Sequence, residues 1–216
     1  MVMTQIKSLR TGIKFKDTPI GKIPVDWEVI DLVEIRDHSI KDSFIDGDWI
    51  EAPYLSDKGI RLIQTGNIGE GKFIDKNKKY ISEKSFRQLK CKEVKPGYIL
   101  ICRMAAPIGR ACIAPNLGMK MITAVDCTII KVDNKSFDAV FLNFMINFPL
   151  VRNQAEMLSG GSTRQRVSLR NLETIKIISP SLLEQKKIAE ILTTADNAIE
   201  ETDGIIEKTK ELKKGL

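Results

Sequence analysis

The C-terminal stretch that follows Pro180 constrains the fold most strongly, because apolar and small side chains recur there at alternating steps of three and four. That spacing is the seam of a coiled coil, and such a seam needs a partner to bury it. The seam consists of Ile188, Ile191, Ala195, Ala198, Thr202, Ile205, Thr209 and Leu212. A second, overlapping row consists of Leu192, Ala195, Ile199, Thr202 and Ile206. The doubled stripe predicts a helix that lies between neighbours and serves as an assembly device.

Two arrangements of this helix remain open. It could fold back on the rest of the chain, but the narrow repeat beside Glu200, Glu201 and Lys208 favours packing against another polypeptide. Gly204 weakens the middle of the helix and suits close approach of a second helix. We therefore predict a homodimer through the C-terminal helix. The predicted partner-binding residues are Ile188, Ile191, Leu192, Ala195, Ala198, Ile199, Ile205 and Leu212.

The length of the chain suits one hydrophobic core. Of 216 residues, 43% are hydrophobic and 29% charged, and we expect a globular domain over residues 1–180 and a helical arm over residues 181–216. No apolar run approaches the roughly 20 residues that span a bilayer, and Met1–Lys16 lacks the apolar stretch of a secretory signal. These features predict a soluble, cytoplasmic protein with no membrane partner. The four cysteines form no C-x-x-C pair, so buried reduced thiols are expected.

Short segments rich in Ile and Val, bounded by Gly, Pro or Asn, predict strands. They are Ile60–Ile68, Tyr98–Cys102, Arg110–Ala114, Ala124–Val132 and Ile175–Ser179. Ser82–Leu89 predicts a short helix capped by Ser82, and Phe137–Leu158 predicts a helical region broken at Pro149. Because strands alternate irregularly with few helices, the predicted fold class is α+β, a globular mixed α/β domain followed by a long C-terminal coiled-coil helix.

Positive charge is concentrated in one segment of the chain. The net charge is +6, yet residues 181–216 carry 6 Lys/Arg against 8 Asp/Glu, so the globular part holds the excess. Residues 58–110 hold 13 basic and 4 acidic side chains, a local net charge of +9. Such a segment is typical of a surface that attracts a phosphate backbone, although an ordinary solvated surface would have the same composition.

The search for catalytic groups favours binding over turnover. His38 is the only histidine and lies in an acidic stretch, so a surface position is favoured over a catalytic triad or a multi-histidine metal site. Gly66–Gly71 is glycine-rich, but it lacks the Lys-Ser/Thr ending of a phosphate loop and is interpreted as a turn that ends a strand. Trp27 and Trp49 are expected to pack in the core or an interface. We predict no catalytic residue, metal or cofactor.

Polar side chains on loops near the basic segment are candidates for contact with double-stranded DNA. Gln64, Thr65 and Asn67 offer amide or hydroxyl groups to base edges. The glycine-led loop from Ser162 to Arg166 carries two guanidinium groups suited to guanine or phosphate, although it could be an ordinary turn. The predicted DNA contacts are Gln64, Thr65, Asn67, Lys72, Lys76, Lys78, Lys79, Arg103, Arg110, Ser162, Thr163, Arg164, Gln165 and Arg166, with the lysines on phosphates.

Several motifs follow one another in an order that resembles a known family. They are Phe15–Val29 with its Pro24-x-x-Trp27 turn, Gly59–Ile68, Arg103–Arg110, Gly160–Val167 with Leu172, and Pro180–Gln185 followed by the heptads. In this order they resemble half of the DNA-specificity (S) subunit of a type I restriction-modification system. Ala105 and Ala106 depart from the more usual Gly-Ser of the third motif.

The resemblance implies a target recognition domain followed by a conserved helical region, through which the chain would pair with a second copy or with a second half. In that family a full subunit carries two such halves, each domain reads part of an interrupted site, and the helices hold methyltransferase (modification) subunits and, through them, the restriction subunit. The chain would then be a non-catalytic, sequence-specific DNA-binding subunit, either naturally half-length or truncated. The alternatives are a stand-alone nuclease or methyltransferase, and a coiled-coil scaffold without DNA affinity, which would leave the local positive charge unexplained.

Overall fold

The computed structural model of the chain describes residues 14–214. Its strands are β1 (Phe15–Thr18), β2 (Gly21–Pro24), β3 (Glu28–Asp31), β4 (Phe44–Asp46), β5 (Leu55–Ser56), β6 (Ile60–Ile63), β7 (Lys79–Ile81), β8 (Glu93–Val94), β9 (Ile99–Cys102), β10 (Ala111–Ile113), β11 (Met121–Thr123), β12 (Cys127–Ile130), β13 (Ser159–Gly160), β14 (Arg166–Val167) and β15 (Lys176–Ser179). Its helices are α1 (Glu83–Leu89), α2 (Ala139–Asn147), α3 (Pro149–Met157), α4 (Leu169–Glu173) and α5 (Leu182–Lys214). Short 3₁₀ turns occupy Leu32–Ile35, Ala52–Tyr54 and Thr65–Asn67.

Two sheets form the centre of the globular part. The first has the order β10-β9-β12-β4 and is antiparallel throughout, while the second has the order β5-β7-β6-β11-β8. Within the second sheet, β6 and β11 are parallel and the other pairs are antiparallel. This mixed arrangement confirms the predicted α+β class. The predicted strands are present but shorter. The 3₁₀ turn at Thr65–Asn67 ends the strand that begins at Ile60, and a turn at Asp126 places the first residue of β12 at Cys127.

The layers of the domain follow from the two faces of its strands. On β9, Ile99 and Ile101 pack in a core cluster with α2 and α3, whereas Leu100 and Cys102 pack in a cluster shared by both sheets. A third cluster lies between the second sheet and α1. Because β9 is covered on both faces, all four of its side chains are buried, which explains its unbroken apolar sequence.

All four cysteines are buried and unpaired, as predicted: Cys91, Cys102, Cys112 and Cys127. Burial raises the pKa of the Cys112 thiol to about 12, because the charged thiolate is poorly solvated in the core. These thiols act as small apolar side chains.

The helical region between residues 137 and 158 is broken at the predicted place. Helix α2 begins after Asp138, whose side chain accepts a hydrogen bond from the Phe141 amide, and α3 begins at Pro149. Phe148 between them is extended, because the residue before a proline is disfavoured in the helical region. Helix α1 likewise begins after Ser82, whose side chain accepts from the Ser85 amide, which confirms the predicted cap.

Helix α5 begins with a capping box and is fixed to the domain by one buried amide. The Ser181 hydroxyl and amide donate to the Glu184 carboxylate, and the Glu184 amide donates back to the hydroxyl. Gln185 is buried; its side-chain oxygen accepts from the Asp138 amide at 3.0 Å, and its nitrogen donates to the Pro180 carbonyl at 2.9 Å. The first turns of the arm are therefore an integral part of the domain.

Replacement of Gln185 by Ala should lower the free energy of unfolding by about 1–3 kcal/mol, because it leaves buried backbone groups without a hydrogen-bond partner. The exposed neighbour Lys186 provides the control, and Lys186→Ala should change the value by less than about 0.5 kcal/mol. Urea unfolding followed by circular dichroism measures both. Equal midpoints for the two variants would show that the amide does not anchor the arm.

Candidate nucleic-acid interface

Three loops meet at one edge of the domain, and the buried side chain of Arg110 joins two of them. Its guanidinium donates to the carbonyls of Thr65 at 2.8 Å, Ala105 at 2.9 Å and Pro107 at 2.8 Å. Its Nε donates to the carbonyl of Ile68. We name these segments loop A (residues 64–67) and loop B (residues 104–109). A single arginine thus holds them at a fixed separation.

The third segment, loop C (residues 160–166), is the hairpin between β13 and β14 with the flanking Gly160 and Arg166. It lies beside loop B, because the Ala105 amide donates to the Gln165 carbonyl at 3.3 Å and Met104 pairs with Arg166 in a β-bridge. The side chains from Ser162 to Arg166 are exposed. The structure therefore brings the predicted loop C next to loop B, which Arg110 joins to loop A.

A cluster of two arginines and two aspartates lies beneath loop C, and we call it the Arg–Asp cluster. Arg103 is 2% exposed and pairs with the carboxylate of Asp46, and its Nη2 lies 3.3 Å from Oδ1 of Asp126. Arg166 Nε lies 2.5 Å from the same Asp126 oxygen. The residues meet because Arg103 follows β9, Asp126 precedes β12 and Asp46 ends β4, three neighbouring strands of the first sheet.

The side chain of Asn67 connects loop A to the lysines that precede β7. Its oxygen accepts from the Gln64 amide at 3.0 Å, and its nitrogen donates to the carbonyls of Ile74 at 2.9 Å and Lys76 at 2.7 Å. The buried Arg61 donates to the Lys79 carbonyl and pairs with Asp75. The lysine segment is therefore held against loop A by buried polar groups.

The exposed cations at this edge differ in their pairing. Lys78 lies 2.9 Å from Asp75, and this contact raises the pKa of Lys78 and lowers the pKa of Asp75. Lys72 pairs with Glu200 of α5, which raises the lysine pKa. Lys76, Lys79 and Arg164 are exposed and form no ion pair within residues 14–214. These three cations are the ones available to an external anion.

Three of the predicted DNA contacts are buried, and their contact with DNA stays a prediction. Asn67, Arg103 and Arg110 are buried, and their polar groups bond to protein atoms. In this structure they hold loops and do not face solvent. Gln64 and Thr65 are half-buried in loop A.

The sequence did not reveal the acidic members of the Arg–Asp cluster. Asp46 and Asp126 are far apart in the chain. Each follows a short apolar stretch, and an aspartate at the end of such a stretch suggests an ordinary turn. The one local signal is the left-handed backbone of Asp126, with φ of 69°, and it is visible only in the structure. Long-range pairing of this kind has no periodic signature.

The predicted partner-binding residues divide along α5. Ile188 is half-buried and packs against the first core cluster, so the first turns of the helix lie against the domain, and the contact of Ile188 with a partner stays a prediction. Beyond Ala189 the row is exposed: Ile191 is 68% and Ile205 65% exposed, and Ala195 and Ala198 are exposed as well. Leu192, Ile199 and Leu212 are also exposed. Within the described residues, this apolar row has no intramolecular cover after its first turns.

The tryptophans and the histidine lie at different kinds of position. Trp27 is half-buried, donates to Glu184 and lines an apolar cavity of about 220 Å³ with Phe144 of α2 and Leu192 of α5, in agreement with its predicted packing role. Trp49 is 72% exposed, so it does not pack in the core, and its packing in an interface stays a prediction. His38 is at the surface, as predicted.

These features define an α+β domain with three clustered loops, joined to a helix whose apolar row is exposed. A family model described as type I restriction modification DNA specificity domain matches residues 24–211. The chain therefore belongs to the type I restriction-modification DNA specificity family. This is a specificity family and not a methyltransferase or nuclease family, which confirms the predicted non-enzymatic class.

Curated relatives carry the same description. The putative type I restriction enzyme MjaX specificity subunit of Methanocaldococcus jannaschii is 30% identical over 192 residues, which are 86% of this chain and 40% of the relative. The MjaIX specificity subunit of the same organism is 28% identical over 200 residues, which are 88% of this chain and 43% of the relative. The chain thus spans less than half the length of these relatives.

Solved structures share the fold. The HsdS subunit from Thermoanaerobacter tengcongensis matches with a TM-score of 0.61 and 17% identity, over 86% of this chain and 41% of that one. The type I S subunit from M. genitalium matches with a TM-score of 0.58 and 16% identity, over 94% of this chain and 44% of that one. Both likenesses confirm an α+β domain followed by a long C-terminal helix.

Two further observations concern metals and membranes. Across residues 14–214, no three His, Cys, Asp or Glu side chains lie close enough together to hold a metal ion. None of the helices in this range has the length and apolar character that a membrane crossing requires.

Replacement of Arg103 by Leu should lower the free energy of unfolding by about 3–5 kcal/mol, because it leaves the carboxylates of Asp46 and Asp126 beside an uncharged side chain. Arg164→Leu removes an exposed guanidinium from loop C and should change stability by less than about 0.5 kcal/mol. Urea denaturation of both variants measures the difference. Similar stabilities would mean that the cluster does not hold this edge together.

Proposed function

We propose that the chain reads one part of an interrupted DNA site within a type I restriction-modification complex, and that α5 docks methyltransferase subunits. The observation that carries the proposal is the clustering of loops A, B and C at one edge, within a domain that belongs to a DNA specificity family. Solvent-facing cations and polar side chains occur together there, as base reading and phosphate binding require.

Contacts with phosphates and contacts with base edges would fall on different parts of this edge. Lys76 and Lys79 are exposed and without ion pairs, so they suit phosphates, which supply affinity without sequence information. Loop C carries hydroxyl, amide and guanidinium groups, which suit base edges in the major groove. Gln64 and Thr65 of loop A would flank loop C in this arrangement.

The arm supports the second part of the proposal. The 33 residues of α5 extend over about 50 Å; the helix is anchored to the core at its start and contacts the domain again through the exposed Lys72–Glu200 ion pair. An exposed apolar row of that length suits a second copy or a second half of the same kind, and pairing would hold two reading domains apart by more than one turn of duplex. The bases between the two half-sites would then be unread.

In this proposal the partner subunits, and not this chain, catalyse the reactions on DNA. The names of the curated relatives describe specificity subunits of type I restriction enzymes, and one solved structure that shares the fold concerns complex assembly of the type I system. We therefore expect no methyl transfer by the isolated chain, and methylation of adenine once a cognate methyltransferase subunit is present. Co-expression with that subunit, followed by sequencing of modified bases, tests this expectation and exposes the site.

Replacement of Lys76 and Lys79 by Ala should weaken binding to all duplexes about equally and reduce the slope of log affinity against log salt by about 2, because two phosphate contacts are lost. Lys135→Ala is the matched control, since Lys135 is exposed near the base of α5, away from loops A to C. Fluorescence anisotropy over a salt series gives the slopes. An unchanged slope would place the phosphate contacts elsewhere, and no binding at low salt would overturn the proposed function.

Replacement of both Ile191 and Ile205 by Asp should abolish assembly through the arm, because charged side chains would then lie in the apolar row. Asn197→Asp adds the same side chain outside the row, and it should assemble as the parent does. Sedimentation velocity, with and without methyltransferase subunits, measures the masses. If the double variant and the parent sediment alike in both conditions, the interface is not the arm.

A further inference from the structure

We propose that Arg166 is the residue that reads a guanine in the DNA site, and that Asp126 is a positioning residue that holds its guanidinium for that purpose. The inference deepens the proposed function by naming one residue, its support and the base that it selects. It stands on the geometry of the Arg–Asp cluster and on the exposure of loop C.

Arg166 has one side of its guanidinium in an ion pair with Asp126 and the other side free. Its Nε lies 2.5 Å from Oδ1 of Asp126, yet the side chain is 48% exposed. Its Nη1 and Nη2 donate to no other atom within residues 14–214. The outer edge of the group therefore presents unused donors to solvent at the end of loop C.

That outer edge matches one base in the major groove. Guanine presents two neighbouring acceptors there, O6 and N7, and a guanidinium can donate to both at once. A carboxylate on Nε restricts rotation of the guanidinium plane before binding, so less conformational entropy is lost when the base is bound. A fixed fork is more useful for a base than for a phosphate, which accepts donors from many directions.

Charge balance also favours a base over a phosphate. The cluster contains two arginines and two aspartates, so the charge of Arg166 is compensated by Asp126, as that of Arg103 is by Asp46. A compensated arginine gains little from a phosphate but keeps its directional hydrogen bonds. Arg164, which has no ion pair within the described chain, is the contrasting residue in the same loop and suits a phosphate.

The support beneath Arg166 is rigid. The Asp126 carbonyl accepts from the Arg103 amide at 2.8 Å, and the Arg103 side chain donates to the Val167 carbonyl at 2.8 Å. The backbone of Asp126 is thus hydrogen-bonded to Arg103, which follows β9, and the side chain of Arg103 connects it to β14. Beside it, a cleft of about 340 Å³ lined by Asp46, Arg166 and Leu169 leaves space for a base edge.

The test is selection from a library of duplexes with a randomised central segment, bound to the full chain and sequenced. The parent should select a site with a guanine at a position that Arg166→Lys no longer discriminates, because lysine keeps the charge but lacks the fork. The guanine preference there should fall about 10- to 100-fold, while the other positions keep theirs. Arg87→Lys makes the same change at an exposed arginine of α1, outside loops A to C, and should leave every base preference unchanged.

Asp126→Asn tests the positioning role. Asparagine tolerates the left-handed backbone of this position, so the variant removes the charge and preserves the turn. Its guanine preference at the same position should fall, while binding to duplexes that lack that guanine stays close to that of the parent. Thermal unfolding of each variant, measured in the selection buffer, confirms that the compared samples are folded.

Each result decides the matter. A guanine preference that survives Arg166→Lys overturns the assignment of Arg166, while selection by the parent still upholds the proposed function. A uniform loss of affinity in Asp126→Asn, with an unchanged base preference, gives Asp126 a merely structural role and overturns the positioning claim. If the parent selects no sequence at all, the proposed function fails together with this inference.

Discussion

The pairing of Arg103 with Asp46 and Asp126 is the interaction on which the functional edge of the domain depends. A buried guanidinium has a large desolvation cost, and only well-placed carboxylates and carbonyls offset it. Asp126 precedes β12, the neighbour of β9 in the first sheet, and Asp46 ends β4, which lies on the other side of β12. The same arginine donates to the Val167 carbonyl, so the sheet and loop C are held by one group. Loop C is therefore presented by the core and not by flexible chain.

The basic segment has two roles that its composition does not separate. Arg61, Arg103 and Arg110 are buried; Arg61 and Arg110 each donate to backbone carbonyls of different segments, and Arg103 donates to one carbonyl and one carboxylate. Lysines of the same segment remain at the surface, where Lys76 and Lys79 are available to an anion. Arginine suits the buried role because its planar group donates several hydrogen bonds in fixed directions, whereas lysine keeps a compact charge in water. Part of the excess charge thus stabilises the fold and part faces outward.

The arm shows a similar division between anchoring and exposure. Its first turns are held by Gln185 and Ala189 against the core, so the direction of α5 is set by the domain. The apolar row then continues past the last intramolecular contact of the core and lies open in the described chain. A helix with this pattern is stable only where its row is covered, because isolated helices gain little from propensity alone. The domain therefore fixes the angle at which any partner of the arm meets loops A to C.

The sequence by itself determined the local elements of this protein. The heptad spacing predicted α5, Pro149 predicted the break between α2 and α3, and Ser82 predicted the start of α1, because each depends on contacts between near neighbours in the chain. Only the tertiary structure decided which charged side chains face the solvent and which hold loops together. Asp46, Arg103 and Asp126 meet because strand pairing brings distant segments side by side, and no periodic pattern in the sequence records that pairing.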